Sequence, residues 1–330
     1  MVDSKHQWKA WLYLAPALVL LLIFTVWPII NTVRLAFIED YNSLDAVKKN
    51  YASYTATAGM EEEEQSEIKI GIGNFRKVID NEKFLTSLKN TILLTVITVP
   101  LSTLLALLIA VALNSIKRLQ KVLQTIFFLP YVTNSIAIGM VFAAMFNIVG
   151  MNLTGKRPRI MSLGIINNII EFFGGEAINW VNPGSTYWAN MFVLIVYIVW
   201  NALPFKILVL LGGLQSVNKQ YYDAAKIDST PRWRVFTKIT VPLLSPMIAY
   251  VVITGFIGGF KEYSSIVGIF GETMGPKGYP DTLLTIVGMI YKVLPNQDYG
   301  LASAAALILF GIIFVVTMLN MWVSKKRVHY

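Results

Sequence analysis

Residues 221–246 read YYDAAKIDSTPRWRVFTKITVPLLSP, and they separate two of the most apolar runs in the chain. The stretch carries Lys226, Arg232, Arg234 and Lys238 with Asp223 and Asp228, opens on acidic-Ala-Ala and closes on Pro242-x-x-x-Pro246. Gln220 to Asp228 has the composition of a helix, with Ala224 and Ala225 among the best formers. Ser229-Thr230-Pro231 stops it, and Thr230 can cap a second helix that has Pro231 at its first position. Val235, Phe236 and Ile239 give that second helix an apolar side. The spacing predicts a compact helix–turn–helix whose small residues admit another protein at close range.

Outward from this stretch the chain is greasy. Of its 330 residues, 55% are hydrophobic and 14% charged, with a mean hydropathy of +0.58, too apolar for a soluble domain of this size. A span needs about 20 consecutive apolar residues. Six runs qualify, at Trp11–Phe37, Thr91–Leu113, Val122–Val149, Ala189–Gly213, Leu243–Phe270 and Leu301–Val323. The first is longer than a signal-peptide core and continues through Trp27-Pro28 with no Ala-x-Ala cleavage pattern after the apolar core, so it reads as a retained helix. Ile160–Ile170 and Thr282–Tyr291 are too short to cross and read as interfacial or re-entrant helices. The expected fold is an all-α integral membrane protein with six transmembrane helices.

The cations set a topology. Lys5 and Lys9 precede the first run, Lys117, Arg118 and Lys121 join the second to the third, and Lys325, Lys326 and Arg327 follow the sixth. With Lys219, Lys226, Arg232, Arg234 and Lys238 they all fall on one side of a six-span path, the side that short basic loops mark as cytoplasmic. The reading is a cytoplasmic N-terminus at 1–10, a first span at 11–37, an external loop at 38–87, a core at 88–323 containing the helix–turn–helix at 216–241, and a cytoplasmic C-terminus at 324–330. Glu61-Glu62-Glu63-Glu64 reads as a solvated, extended part of the external loop.

Several chemistries lack their residues. Without cysteine there is no thiolate nucleophile, disulfide or cysteine-ligated metal, and the two histidines, His6 and His329, sit at the termini. Metal sites and a membrane-embedded enzyme are therefore disfavoured. The net charge of +9 is spread between apolar runs instead of forming one patch, which argues against nucleic acid. Glu262 is the sole carboxylate within a predicted span, a weak basis for ion coupling. No GxxxxGK[ST] phosphate loop occurs, so if ATP drives this protein another chain binds it.

The opening stretch resembles the cytoplasmic "EAA" loop of ATP-binding cassette importer permeases, in the residues Asp223-Ala224-Ala225, Asp228-Ser229, Phe236, Ile239 and Val241-Pro242. More specifically the chain is similar to the maltose-type carbohydrate-uptake permeases. The likeness continues through WLYLAPALVLLLIFTVWPII, NTILLTVITVPLSTLLALLIAVALN, FFLPYVTNSIAIGMVF and MGPKGYPDTLLTIVGMIYKV. Two positions depart from the family pattern: aspartate replaces its leading glutamate, and Ser229 stands where it has glycine. The resemblance implies that Asp223 anchors the loop in an ATPase cleft, that Ala224 and Ala225 pack closely there, and that Asp228 braces the turn, with Ser229, Phe236 and Pro242 completing the element.

It also implies a permease subunit, with no enzymatic activity of its own, that moves a di- or oligosaccharide across the cytoplasmic membrane. The expected partners are a second homologous permease, two ATPase subunits that bind ATP and magnesium, an extracytoplasmic sugar-binding protein, and membrane lipid. Cofactors bound by this chain are not expected. Cargo contacts fall on the segments flanking the loop: Trp200, Asn201, Phe205 and Lys206 before it, and Phe256, Phe260, Lys261, Glu262 and Tyr263 after it. Aromatic faces and polar groups around a cavity suit sugars, though the same aromatics also serve helix packing. Lys206 must face a wet cavity, find a partner or snorkel; with Lys261 it would suit an acidic oligosaccharide unless Glu262 neutralises Lys261. An ion-coupled secondary transporter or a channel is the alternative.

Overall fold

The computed structural model describes residues 7–39, 69–116, 120–149 and 162–327. The acidic run Glu61–Glu64, both histidines, and Lys5, Lys117 and Arg118 lie outside them. The chain divides into two compact units, Met1–Phe84 with Met289–Phe310, and Leu85–Gly288 with Gly311–Tyr330.

In the first unit, α1 (Gln7–Leu21) and α2 (Trp27–Phe37) join through one widened turn at Leu22–Val26, where the Trp27 N–H reaches back to the Leu22 carbonyl. Together they form one apolar helix whose middle is not buried among the described residues. A small clip follows. Strand β1 (Ile38–Glu39) pairs antiparallel with β2 (Lys69–Ile70), Ile38 opposite Ile70. Helix α3 (Gly73–Ile79) then places Asn74 so that its amide donates to the carbonyls of Ala36, at 3.2 Å, and Ile38, at 2.7 Å. Glu39 Oε1 accepts the Gly73 N–H at 2.6 Å. The all-α expectation misses this ladder and a second, β3 (Ile148–Val149) with β4 (Ser162–Leu163), because a two-residue pair has no periodicity to read.

Among the described residues, four continuous helices are long and apolar enough to cross a membrane: Trp11–Phe37, α4 (Glu82–Ser115), α8 (Tyr187–Ser216) and α15 (Tyr299–Arg327). They contain the first, second, fourth and sixth predicted spans. The third predicted span is not one helix. It divides into α5 (Gln120–Val132) and α6 (Ser135–Phe146), because Asn134 turns extended and its side-chain oxygen accepts the N–H groups of Ile136 and Ala137, starting a helix afresh.

The fifth predicted span also breaks, at both ends. α10 (Arg232–Val235) runs through a widened turn at Phe236–Thr240 into α11 (Val241–Leu243), then bends by 68° at Leu244 into α12 (Ser245–Phe260). Pro246 supplies no N–H at the bend. Beyond α12, residues 261–263 separate it from α13 (Ser264–Phe270). The two short apolar stretches yield α7 (Ile165–Phe172) and α14 (Ile286–Val293).

The core of the second unit forms where α4, α8 and α12 meet. Ala106, Leu107, Ala110 and Leu113 face Ile207, Leu210, Leu211 and Leu214, with Leu244 and Val251 closing the cluster. Lipid is as apolar as leucine, so burial alone does not hold helices together in a bilayer; close contact does. Glycines supply it. A Cβ on Gly139 in α6 would stand 2.8 Å from the Cα of Gly268 in α13, so the two backbones touch. A Cβ on Gly259 in α12 would meet Thr95 of α4 at the same distance.

Candidate functional site

The helix–turn–helix forms as the spacing predicts, with different end chemistry. α9 (Lys219–Ile227) starts at Asn218, whose side chain accepts the Gln220 N–H at 3.0 Å. Its end is a backbone lock: the Thr230 N–H returns to the Ala225 carbonyl at 2.9 Å and the Ser229 N–H to the Lys226 carbonyl at 3.0 Å. This is the paired closure of a helix ended by a left-handed residue. That residue is Ser229, at φ +49°. Serine thus occupies the conformation for which glycine is the unstrained choice. Ser229→Gly is expected to stabilise the turn by about 1 kcal/mol, measurable as slower proteolysis of the loop; faster cleavage would contradict the strain.

One expectation is corrected. Thr230 does not cap the second helix: Pro231 takes the cap position, extended at ψ 143°, and its carbonyl accepts the N–H groups of Arg234 and Val235. The turn is braced by backbone hydrogen bonds, while the Asp228 side chain is exposed. Asp223 pairs with Lys226 at 3.4 Å, both largely exposed, an arrangement worth little by itself.

The element has an inside and an outside. Ala225 is buried, Tyr222 meets Thr240 at 3.4 Å, and Phe236 and Val241 pack against the α4–α8–α12 core. Asp223, Ala224 and Asp228 face out, with Tyr221, Ile227 and Trp233 between half and nine-tenths exposed. Pro242, half-buried, lies in the last turn before the 68° bend. An outward apolar face thus sits on a body whose inner face is locked to the core.

The predicted cargo residues separate into distinct environments. Trp200 joins a ring cluster with Phe142 at 5.1 Å and Tyr197 at 6.4 Å. Phe205 stacks on Tyr131 at 6.0 Å and meets Tyr250 at 6.4 Å, both about half-exposed. Asn201 donates to Ser135 Oγ at 3.3 Å, and the Tyr197 hydroxyl donates to the Ser135 carbonyl. Pro204 offers no N–H to the Trp200 carbonyl one turn back. Phe260 is buried and Phe256 half-buried; among the described residues, no ring contact joins either to Trp200 or Phe205.

Lys206 finds a partner instead of a cavity. Only 4% exposed, its ammonium donates to Ser102 Oγ at 2.7 Å, Thr103 Oγ1 at 2.9 Å and the Val99 carbonyl at 3.2 Å, all on α4. Gly255 of α12 covers it, since a Cβ there would stand 3.2 Å from Nζ. Glu262 does not neutralise Lys261. Its Oε1 accepts the N–H groups of Tyr263 and Ser265 and so caps α13, while Lys261 is exposed and Tyr263 half-buried.

Sequence reasoning missed the α4 surface that receives these groups. Ser87, Thr91, Thr95, Thr98 and Ser102 are all buried, and the last four hydroxyls each donate to a carbonyl one turn back. Asn90 adds bonds to the carbonyls of Thr282 and Leu284 and accepts from the Tyr187 hydroxyl. The signal was present as hydroxyls recurring every three or four residues through an apolar run, the stripe by which a membrane helix offers polar contacts to its neighbours.

Residues 99–329, which hold the helix–turn–helix and the predicted cargo residues, match the family described as the binding-protein-dependent transport system inner membrane component. The chain belongs to that family. It is 28% identical to the lactose transport system permease protein of Rhizobium radiobacter, over 97% of this chain and 95% of that one. It is 30% identical to the arabinooligosaccharides transport system permease protein of Halalkalibacterium halodurans, over 77% and 75%. In fold it matches a chain of a bacterial transporter that imports the acidic polysaccharide alginate, with a TM-score of 0.72 at 22% identity, covering 98% of this chain and 96% of that one. This permease is therefore a multi-pass membrane protein and the membrane component of an importer.

Proposed function

We propose that this permease is one of two homologous membrane subunits that carry a di- or oligosaccharide across the cytoplasmic membrane, powered by ATP hydrolysed with magnesium in two partner ATPase subunits. A sugar-binding protein delivers the cargo to its outer face. Both termini and the 216–241 element are cytoplasmic, and the chain crosses six times. α5 with α6 makes the third crossing and the bent α12 the fifth.

The observation that carries this reading is the build of the helix–turn–helix: Asp223, Ala224, Ile227 and Trp233 point outward, while Phe236 and Val241 bind it to the transport core. Seated in an ATPase cleft, such a body turns closure of the ATPases into tilting of α12 through the 68° bend. Ser229, Ala225 and Pro242 keep it rigid. Relatives that carry lactose and arabinooligosaccharides support a sugar as cargo.

Sugar faces are offered by Trp200, Phe205 and Phe256, with Asn201, Glu262 and Tyr263 as polar groups, while Phe260, only 3% exposed, packs between helices instead. Lys206 acts here as a brace between α4 and α8 with all three donors engaged. An acidic cargo would therefore meet Lys261 first. The deciding experiment reconstitutes the complete transporter in liposomes and follows labelled sugar. Uptake requires both ATP inside and the binding protein outside; uptake without any ATPase that collapses with an ion gradient overturns the reading in favour of a secondary transporter.

A further inference from the structure

Beside the bend at Leu244 lies a cavity of about 490 Å³, inside the range of about 300–1,000 Å³ that small-molecule sites occupy. Val241, Pro242, Ile248, Ala249, Val252 and Ile253 make most of its wall, and Ser245, Asn320, Val323 and Ser324 close it. It therefore straddles the two arms of the bent helix and leans on the last turns of α15.

Its depth in the bilayer follows from α15. Twenty-nine residues of helix extend about 43 Å, longer than a hydrocarbon core of about 30 Å. Asn320, Val323 and Ser324 lie in its final turns, so the cavity mouth sits where acyl chains give way to headgroups. Trp322, exposed at the same level, is the residue type that settles at that boundary, and Lys326 Nζ lies 3.8 Å above its ring.

Cations stand one step beyond the apolar wall on both elements. Lys238 precedes Val241 and Pro242 by three and four residues, Lys325 directly follows Ser324, and both are exposed. α15 has no carboxylate anywhere along its length. An apolar slot whose wall residues are followed or preceded along the chain by exposed lysines, neither paired with a carboxylate among the described residues, is complementary to an amphiphile with a negative head. A sugar lacks the apolar tail.

We infer that this cavity binds one acyl chain of an anionic phospholipid whose headgroup is held by Lys238 and Lys325, beside the bend that links the 216–241 element to α12. Occupancy stiffens the bend. Binding itself rests only on the membrane location; assignment to the cytoplasmic leaflet rests on the proposed orientation.

The test places the complete transporter in nanodiscs containing phosphatidylcholine and phosphatidylglycerol and reads retained lipid by native mass spectrometry. The wild type is expected to retain phosphatidylglycerol in about tenfold preference. Ala249→Trp, which fills the cavity, and the double variant Lys238→Gln with Lys325→Gln, which leaves it open, each lose that preference while the transporter keeps its intact mass. Equal retention of the two lipids by the wild type, or an unchanged preference in both variants, overturns the site. Labelling an Arg327→Cys variant with a membrane-impermeant maleimide reads the orientation separately. Access from the outer side alone would move the site to the other leaflet and refute the cytoplasmic assignment.

Discussion

Ala224→Glu abolishes ATP-driven uptake in the proposed assembly while leaving the permease folded in the membrane. Ala224 is exposed on α9, and glutamate is nearly as good a helix former as alanine. The added charge lies one turn from Asp228, a like-charge pair costing only about 0.2–0.5 kcal/mol at the surface. The isolated subunit therefore barely registers the change. Within a protein interface the same carboxylate is buried without a partner, a cost of about 3–5 kcal/mol, or more than about 100-fold in association. Uptake into liposomes, with the permease level checked by immunoblot, measures the effect. Ala224→Ser should keep most of it. Full uptake by Ala224→Glu would show that this face does not dock.

Gly139→Ala and Gly258→Ala make the same chemical change in two membrane helices, with opposite expected results. Gly→Ala within a helix ordinarily stabilises by up to about 1 kcal/mol, and at Gly258 the new Cβ meets nothing within 4 Å. At Gly139 it lands 2.8 Å from the Cα and 2.9 Å from the carbonyl carbon of Gly268. Backbone cannot rotate away as a side chain can, so α6 and α13 must separate, and overpacking of this kind costs about 1–3 kcal/mol. The expected outcome is a fall of about tenfold in membrane abundance and a lower thermal midpoint for Gly139→Ala, with Gly258→Ala at or above wild type. Equal abundance of the two would refute the contact. Gly268→Ala should repeat the loss, because the contact is mutual.

Much of the architecture was legible from residue order. Four long helices contain predicted apolar runs, since twenty apolar residues in a row leave the backbone no better way to satisfy its hydrogen bonds in lipid. The helix–turn–helix was legible too: Ala224-Ala225 builds, and Pro231 interrupts. The breaks were less so. Asn134 reads as one polar residue in an apolar run, and it starts a new helix only because its oxygen meets two free N–H groups, a local geometry that composition does not encode. The 68° bend is half-visible in Pro242 and Pro246; its angle belongs to the packing of Leu244 against α4 and α8.

The site shows the same division. Lys206 by itself posed three alternatives, and the choice among them depended on residues more than a hundred positions earlier in the chain, Val99, Ser102 and Thr103. Glu262 and Lys261, adjacent in sequence, suggested a pair, yet the carboxylate is drawn to the open N–H groups that begin α13. Ser229 raised a question about the turn that only its φ could answer.

The sequence by itself determined that this chain lives in a membrane, where its helical element emerges between apolar runs, and which family it resembles, because these depend on local composition and spacing. Only the tertiary structure decided which polar groups face one another across helices. Those pairings couple residues far apart in the chain, and at membrane depth an unmet polar group costs too much for any of them to be left to chance.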